Sequence, residues 1–394
     1  MEAARSRRVT PRRERDLLRW IQLLAEEVGP RRPTGTAERR AAHLVRDRLR
    51  AEGVEAELEQ FNGYSTFAAP QGVILALALA PALLPPQRRL LRSALATSAV
   101  AAMATEGGLI HTPVSAALSR ATSQNLVATI DPAGEAKRTV CLMCHLDTSR
   151  SGLLFDPRLV AHLNPLLTVF SGAAAAQGLE PLLGGFRTGR RLLVAARALV
   201  AVAAALVAER ELRGEDVPGA NDNASGVAVV AELALDLAAA PLESTRVVVL
   251  MTGCEESGLL GAQAFLRSRD TSCWLFANFD SVGGPGTLRY ARREGIVKKW
   301  DADAALIAIA ERVAAERPEL DLKPSEGPIG LTYDVTPVLA RGGRGLTFVA
   351  GDDGVIPNYH WPSDTPENLD PGIPEHAFQV GRELLAAVDR GEAD

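Results

Sequence analysis

The run RVVVLMTGC at 246–254 is apolar almost throughout and ends on two adjacent acids, Glu255 and Glu256. A short Val-rich run of this kind reads as a strand buried on both faces, which requires a sheet covered by helices. In such a sheet the chemistry sits in the loops that leave the carboxyl ends of the strands. Two neighbouring carboxylates there raise each other's pKa. A positive partner is expected to compensate them, and the rest of the chain points to metal.

Other apolar runs end in the same way. RTVCLMCHLD ends in His145 and Asp147, and CWLFANFDSVGG ends in Asp280. GANDNASG puts Asp222 in a Gly/Asn-rich loop before an apolar helix, and IPNYHWPSDT puts His360 in a Pro-rich loop. Imidazole and carboxylate are the ligands expected for zinc, and three protein ligands per metal leave a position for water. The six groups His145, Asp222, Glu255, Glu256, Asp280 and His360 are too many for one catalytic zinc. They suit two zincs sharing one carboxylate, with a glutamate left over as base. Each residue alone has a plainer reading. A strand-end Asp or His is ordinarily a cap or turn former, and acids at a helix start are favoured by its dipole. The argument rests on the ordered set.

These words, with GPRRPTGT at 29–36, EESGLLGAQAF at 255–265 and PNYHWPSDTPENLD at 357–370, resemble a known family. It is the co-catalytic di-zinc exopeptidase family of bacterial leucyl aminopeptidase, aminopeptidase Y and glutamate carboxypeptidase. The resemblance covers about 20–62, 121–150 and 215–390. It implies a zinc-dependent metallopeptidase of aminopeptidase type, with two Zn2+ per chain, hydrolysing peptide or amide bonds of small substrates by a metal-bridging hydroxide. By the same resemblance Asp222 bridges the metals, His145 and Asp280 complete one site, and Glu256 and His360 complete the other. Glu255 is then the general base, and Asp147 is expected to orient His145. Asp364 is a weaker supporting candidate, and Tyr333 and Asp334 are expected to line the pocket. A cis peptide is expected after Asp222. Other readings on the same fold stay open: a glutaminyl-cyclase-like aminoacyl transferase, which works with one zinc, and a carboxypeptidase or amidohydrolase. A non-catalytic, receptor-like scaffold would have lost ligands.

Cys141-Leu142-Met143-Cys144-His145 also spells C-x-x-C-H, the attachment motif of c-type haem. Within a strand those two thiols would face opposite ways, which sets that reading aside. The four cysteines read as reduced, buried thiols of a cytoplasmic protein. A net charge of −5 gives no reason to expect nucleic acid. The basic start ARSRRVTPRRER reads as a solvated tail, with no signal-like apolar stretch after it.

Periodicity predicts helices over 15–27, 36–52 (Thr36 as cap), 223–238, 257–268, 301–316 and 373–390. It predicts an edge strand at 54–60 and core strands at 124–130, 138–144, 245–251, 273–279 and 345–350. The expected fold is α/β: a three-layer sandwich whose central mixed, largely parallel sheet is flanked by helices. The catalytic domain would comprise 12–70, 107–150 and 215–392. Two Ala/Leu-rich insertions, 71–106 and 149–214, interrupt it, each read as a helical pair: 72–84 with 88–105, and 156–178 with 188–212. The run 192–209 is long enough to span a bilayer, but Arg197 near its middle costs about 2.5–3.5 kcal/mol there, so spanning is not favoured. The insertions are expected to form one subdomain serving as a lid, a homodimer interface or a membrane-surface contact. The second leaves the loop after His145 and Asp147, so it is expected to wall the cleft and favour a small peptide or aminoacyl substrate. The expected location is cytoplasmic, with membrane association through the insertions as the alternative.

Overall fold

Each apolar run becomes a strand because neighbouring strands satisfy its backbone while helices cover both its faces. The computed structural model describes residues 15–296, 298–325, 332–352 and 354–394. The basic start up to residue 14 lies outside the described residues. The chain opens with α1 (Leu17–Gln22), which widens into a π-turn over Leu23–Val28, then α2 (Thr36–Ala51) and β1 (Ala56–Gly63). Next come α3 (Ala68–Leu79), α4 (Arg89–Gly107) and α5 (Pro113–Leu118), followed by β2 (Ala121–Ile130) and β3 (Arg138–His145). The second insertion holds α6 (Leu163–Gly178), α7 (Glu180–Leu183) and α8 (Arg187–Arg213). After it run α9 (Gly226–Ala239), β4 (Thr245–Thr252), α10 (Leu260–Arg267), β5 (Trp274–Phe279) and β6 (Thr287–Ala291). A short hairpin, β7 (Arg293–Glu294) and β8 (Trp300–Asp301), precedes α11 (Ala304–Glu316) and β9 (Lys323–Ser325). The chain ends with α12 (Thr336–Ala340), β10 (Arg344–Gly351) and α13 (Gly372–Asp389).

Eight strands form one mixed sheet in the order β1-β2-β4-β3-β5-β10-β6-β9. Its centre, β4-β3-β5-β10, is parallel, while β1, β2 and β6 join antiparallel. Register sets His145 beside Thr252, Met143 beside Asn278 and Phe348 beside Phe279. The carboxyl ends of four strands therefore lie along one edge, where the loops carrying the candidate ligands emerge. Side chains alternate as a strand demands. Cys141, Met143, Val248 and Leu250 pack with Phe265 of α10 and Val338 of α12. Val140, Leu142, Cys144, Val247 and Val249 pack into the core with α1, α2, α9, α11 and α13. The two cysteines of the haem-like word face opposite sides.

Several boundaries shift, each for a local reason. Gly35, not Thr36, occupies the cap of α2. α9 starts at Gly226 because Asp222 and Asn223 have non-helical dihedrals. α10 starts at Leu260 because Gly258 and Leu259 have φ of 143° and 59°. α6 starts at Leu163; Asp156 precedes a proline, which disfavours helix there. Cys273 is exposed, contrary to expectation, because it lies in the turn before β5 begins at Trp274. β6 and β9 are too short to leave a periodic signal.

The insertions pack as a four-helix bundle in which α3 touches α4 and α8, and α6 touches α4 and α8. Its interior is filled by Ala78, Ala99, Ala173, Ala174, Ala196 and Val200.

The sheet centre is close-packed. Phe348 on β10 is fully buried and stacks on Phe279 at 5.3 Å. Phe348→Ala should cost about 3–5 kcal/mol, read as a lower urea midpoint with an unchanged slope.

Candidate metal centre

The candidate ligands come from separate strand ends and loops at the sheet's carboxyl edge, with Glu255 and Glu256 sharing one. His145 is the last residue of β3, Asp280 follows β5, and the Glu255-Glu256 pair follows β4. Asp222 lies in the π-turn before α9, and His360 lies in the loop after β10. Asp222 is at the centre: its Oδ1 is 3.0 Å from His145 Nε2, and its Oδ2 is 3.2 Å from His360 Nε2. Asp280 Oδ2 lies 3.5 Å from His145 Nε2, and Glu256 Oε2 lies 3.2 Å from His360 Nε2. Two buried donor sets result, His145/Asp222/Asp280 and Asp222/Glu256/His360, with the donor atoms of each within 4.8 Å of one another. Glu255 is buried beside them but belongs to neither set. The Asp222-Asn223 peptide is cis.

Two carboxylates fasten the ligand loops through their backbones. Asp147 accepts the N–H groups of Glu255 and Glu256 at 3.1 and 3.0 Å. Asp364 accepts those of Asn221 and Asp222 at 2.7 and 3.0 Å. The expected contact of Asp147 with His145 is made by its backbone carbonyl, 3.1 Å from Nδ1, which leaves the carboxylate for the Glu-Glu loop. The Arg31 guanidinium donates to the carbonyls of Leu24, Gly29, Leu146, Pro218 and Gly219, tying the His145 and Asp222 loops together. Glu38 accepts the N–H of Cys254 and the Ser123 hydroxyl. A Cβ at Gly253 would sit 2.7 Å from Glu38 Oε1 and 2.5 Å from Ser123 Oγ, so only glycine admits that approach. Asn221 Oδ1 accepts from Gly283 and Gly284, and Asn223 Oδ1 from Gly226 and Ser281.

His360 is framed by rings: Tyr359 stacks on it at 3.8 Å, and Phe155, from the second insertion, meets it edge-on at 4.3 Å. Tyr333 and Asp334 are both buried. Asp334 accepts from the Thr252 hydroxyl, and Tyr333 packs with Val349 and Ile356. Arg31, Glu38, Asn221 and Phe155 carried no individual signal in the sequence. Arg31 lay in the GPRRPTGT word, whose repeat of two arginines does not tell which one turns inward.

The centre is short of positive charge. Asp147, Asp222, Glu255, Glu256, Asp280, Asp334 and Asp364 are all buried, against His145, His360, Arg31 and Arg210. Burial pushes Asp280 up to about 8, Asp334 and Asp364 to about 7, Asp147 to about 6, and Glu255 well above its ordinary range. Asp222 goes the other way: burial opposes ionisation, but hydrogen bonds from His145 and His360 hold it below the usual carboxylate range. Burial would lower both histidines. Glu255, Asp280 and Asp222 nevertheless raise His145, and Glu256 and Asp222 raise His360 to about 9. Glu256 Oε1 and His360 Nδ1 have no hydrogen-bond partner among the described residues. Buried N and O donors, excess negative charge and an unpartnered carboxylate oxygen fit divalent cations in both sets.

Peptidase family M28 matches residues 202–385. The chain is 29% identical over 180 residues to a probable lipoprotein aminopeptidase, LpqL, of Mycobacterium tuberculosis, covering 39% of this chain and 36% of that protein. It is 31% identical over 179 residues to aminopeptidase YwaD of Bacillus subtilis, covering 43% and 37%. The chain thus matches little more than a third of either relative's length. The solved structure of BSAP, a zinc aminopeptidase from Bacillus subtilis, superposes with a TM-score of 0.55 at 17% identity, covering 96% of each chain. The α/β fold and the family resemblance read from the sequence words are both borne out.

The raised carboxyls and histidines bind protons more tightly in the folded than in the unfolded chain. The metal-free protein should therefore lose stability as pH rises from about 5 to about 8. Asp222 acts in the opposite sense, but only below its ordinary value of 3.8. Added divalent metal replaces the protons, so its stabilisation should grow over the same interval. Thermal unfolding with and without metal checks this; a Tm of the metal-free protein that is flat or rises over that interval refutes it. Asp147→Asn and Asp364→Asn should each weaken metal binding about 10–100-fold, measured by competition with a chromophoric chelator.

Proposed function

We propose that the chain is a zinc-dependent exopeptidase of aminopeptidase type, acting on small peptides or aminoacyl compounds with two zinc ions per chain. The observation that carries this is Asp222, whose two oxygens face two histidines in two complete donor sets. His145 and Asp280 would hold one ion, Glu256 and His360 the other, and Asp222 both. When bound, zinc lowers the pKa of a water and polarises a carbonyl. An aminoacyl transferase needing one zinc would leave one of the donor sets without a purpose.

Glu255 is the base in this reading. Its backbone is held by Asp147, and its side chain belongs to neither donor set. Burial raises its carboxyl, which suits a group that must take a proton at neutral pH and give it back. It would take the proton from the attacking water and deliver it to the leaving amine. Phe155 and Tyr359 shield His360 from solvent and narrow the approach on that side. Phe155 comes from the start of the second insertion, which supports a wall that admits small substrates.

Glu255→Gln should keep its zinc and lose about 10²–10⁴-fold in turnover. Glu256→Gln should instead lose metal first and regain activity in excess zinc. Metal analysis beside chelator-sensitive release of a chromogenic amine from aminoacyl amides tests both. About one zinc per chain, or release that survives the chelator, would sink the proposal.

A further inference from the structure

The helical bundle is built the wrong way round for water. Residues 71–87, 93–105 and 163–179 contain no Asp, Glu, Lys or Arg, and 192–208 contain only Arg197. Alanines fill most of the interior, with Ile74, Leu193 and Val200 also buried, whereas Val73, Leu91, Val169, Leu192, Val194 and Val202 face outward and are exposed. Water-soluble bundles bury their large apolar side chains. Small residues inside and large apolar ones outside are the packing of helices in lipid. α8 is 27 residues long, yet only 22% of its most apolar stretch is buried.

The charges are arranged to match. Arg197, which counted against a bilayer in the sequence, pairs with Glu180 at 3.1 Å, and the buried Arg92 joins the same carboxylate at 3.0 Å. Ionisable groups in lipid face the bundle interior and pair in this way. Both helical turns lie at the same end, where Ser93 donates to the Gly178 carbonyl and Arg92 to that of Leu84. That tip carries Arg88, Arg89, Arg187, Arg190 and Arg191, and segments 84–91 and 181–191 contain no acid. Leu83, Leu90 and Phe186 project from it, exposed by 87%, 82% and 67%. Arg187, Arg190 and Arg191, with Val194, line a shallow, open hollow there, and a cluster of arginines of this kind attracts anionic headgroups. Between Arg191 and Glu209 the helix rises about 27 Å, near the hydrocarbon thickness of about 30 Å, and snorkelling arginines cover the difference.

We infer that this bundle is immersed in a bilayer of anionic phospholipid, with its outward Val and Leu side chains in hydrocarbon and its arginine tip among the distal phosphates. The base of α8 then holds the metal centre near the membrane surface: the Arg210 guanidinium lies 5.8 Å from the Phe155 ring, which packs on His360. The inference does not depend on the proposed peptidase activity.

The full chain, with Val202→Trp as probe, is reconstituted with phosphatidylglycerol-containing vesicles and with matched vesicles of brominated lipid. The native tryptophans Trp20, Trp274, Trp300 and Trp361 lie outside the bundle and supply the parent baseline. The expected result is flotation with the vesicles, resistance to alkaline carbonate, and loss of the introduced indole's emission in brominated lipid. Val169→Trp on α6 gives an independent reading should the first variant fail to fold. A detergent-free soluble dimer with unquenched probes would overturn the inference in favour of a second copy of the chain. Vesicle binding that high salt reverses, again with unquenched probes, would overturn it in favour of surface attraction alone.

Discussion

Burying carboxylates without enough cations is the constraint around which this structure is organised. Asp222, Glu255, Glu256 and Asp280 crowd two histidines at the edge of the sheet, where burial drives Glu255 and Asp280 toward protonation. Among the described residues, no lysine or arginine forms an ion pair with those four side chains to relieve this. The deeply buried Arg31 guanidinium nearby is committed to backbone carbonyls instead. The side chains thus keep a shared deficit of positive charge while their backbones are fixed, which leaves the donor atoms free for metal.

The fixing has a repeated form. Asp147 and Asp364 each accept two consecutive backbone N–H groups, one pair in the Glu255-Glu256 loop and the other at Asn221-Asp222. Each bond is charge-assisted and therefore stronger than a neutral one. They hold loops that would otherwise relax: Cys254 and His360 have φ of 56° and 51°, a region that costs non-glycine residues about 1–3 kcal/mol. Ser281, with φ of 53°, is held instead through its N–H by Asn223 Oδ1. The parallel core of the sheet is the platform, since its register sets the ends of β3, β4, β5 and β10 side by side. The bundle lies outside this arrangement except at its root, where Phe155 packs on His360.

The sequence was most legible where periodicity and local words coincided. The core strands and the long helices follow from runs that bury both faces or one stripe, and the ligand residues follow from their places at the ends of those runs. Boundaries slipped where function bends the chain, as at Asp222-Asn223 before α9 and Gly258-Leu259 before α10. Asp147 is legible from its place beside His145, but its carboxylate, 3.8 Å from that ring, accepts the N–H groups of the Glu255-Glu256 loop 108 residues away, and its carbonyl makes the closer contact with the histidine. Cys273 lies a single residue before the start of β5, and periodicity does not resolve a boundary that finely, although the boundary separates core from surface there.

The sequence alone determined which groups could meet: alternating strands and helices make an α/β sheet, and acids and imidazoles at strand ends gather on one edge. It did so because hydrophobic period is local and readable within a few residues. How those groups divide was implied by the family resemblance, and only the tertiary structure supplies the geometry behind it. That both oxygens of Asp222 face different histidines, that Glu255 is left outside both donor sets, and that Arg31, Glu38 and Asp364 hold the loops are matters of long-range geometry. The same holds for Arg197, an isolated charge in the chain that becomes one member of a triad once Arg92 and Glu180 are brought beside it. Pairing partners far apart in sequence leave no periodic trace, because what selects them is the electrostatic need of a buried group.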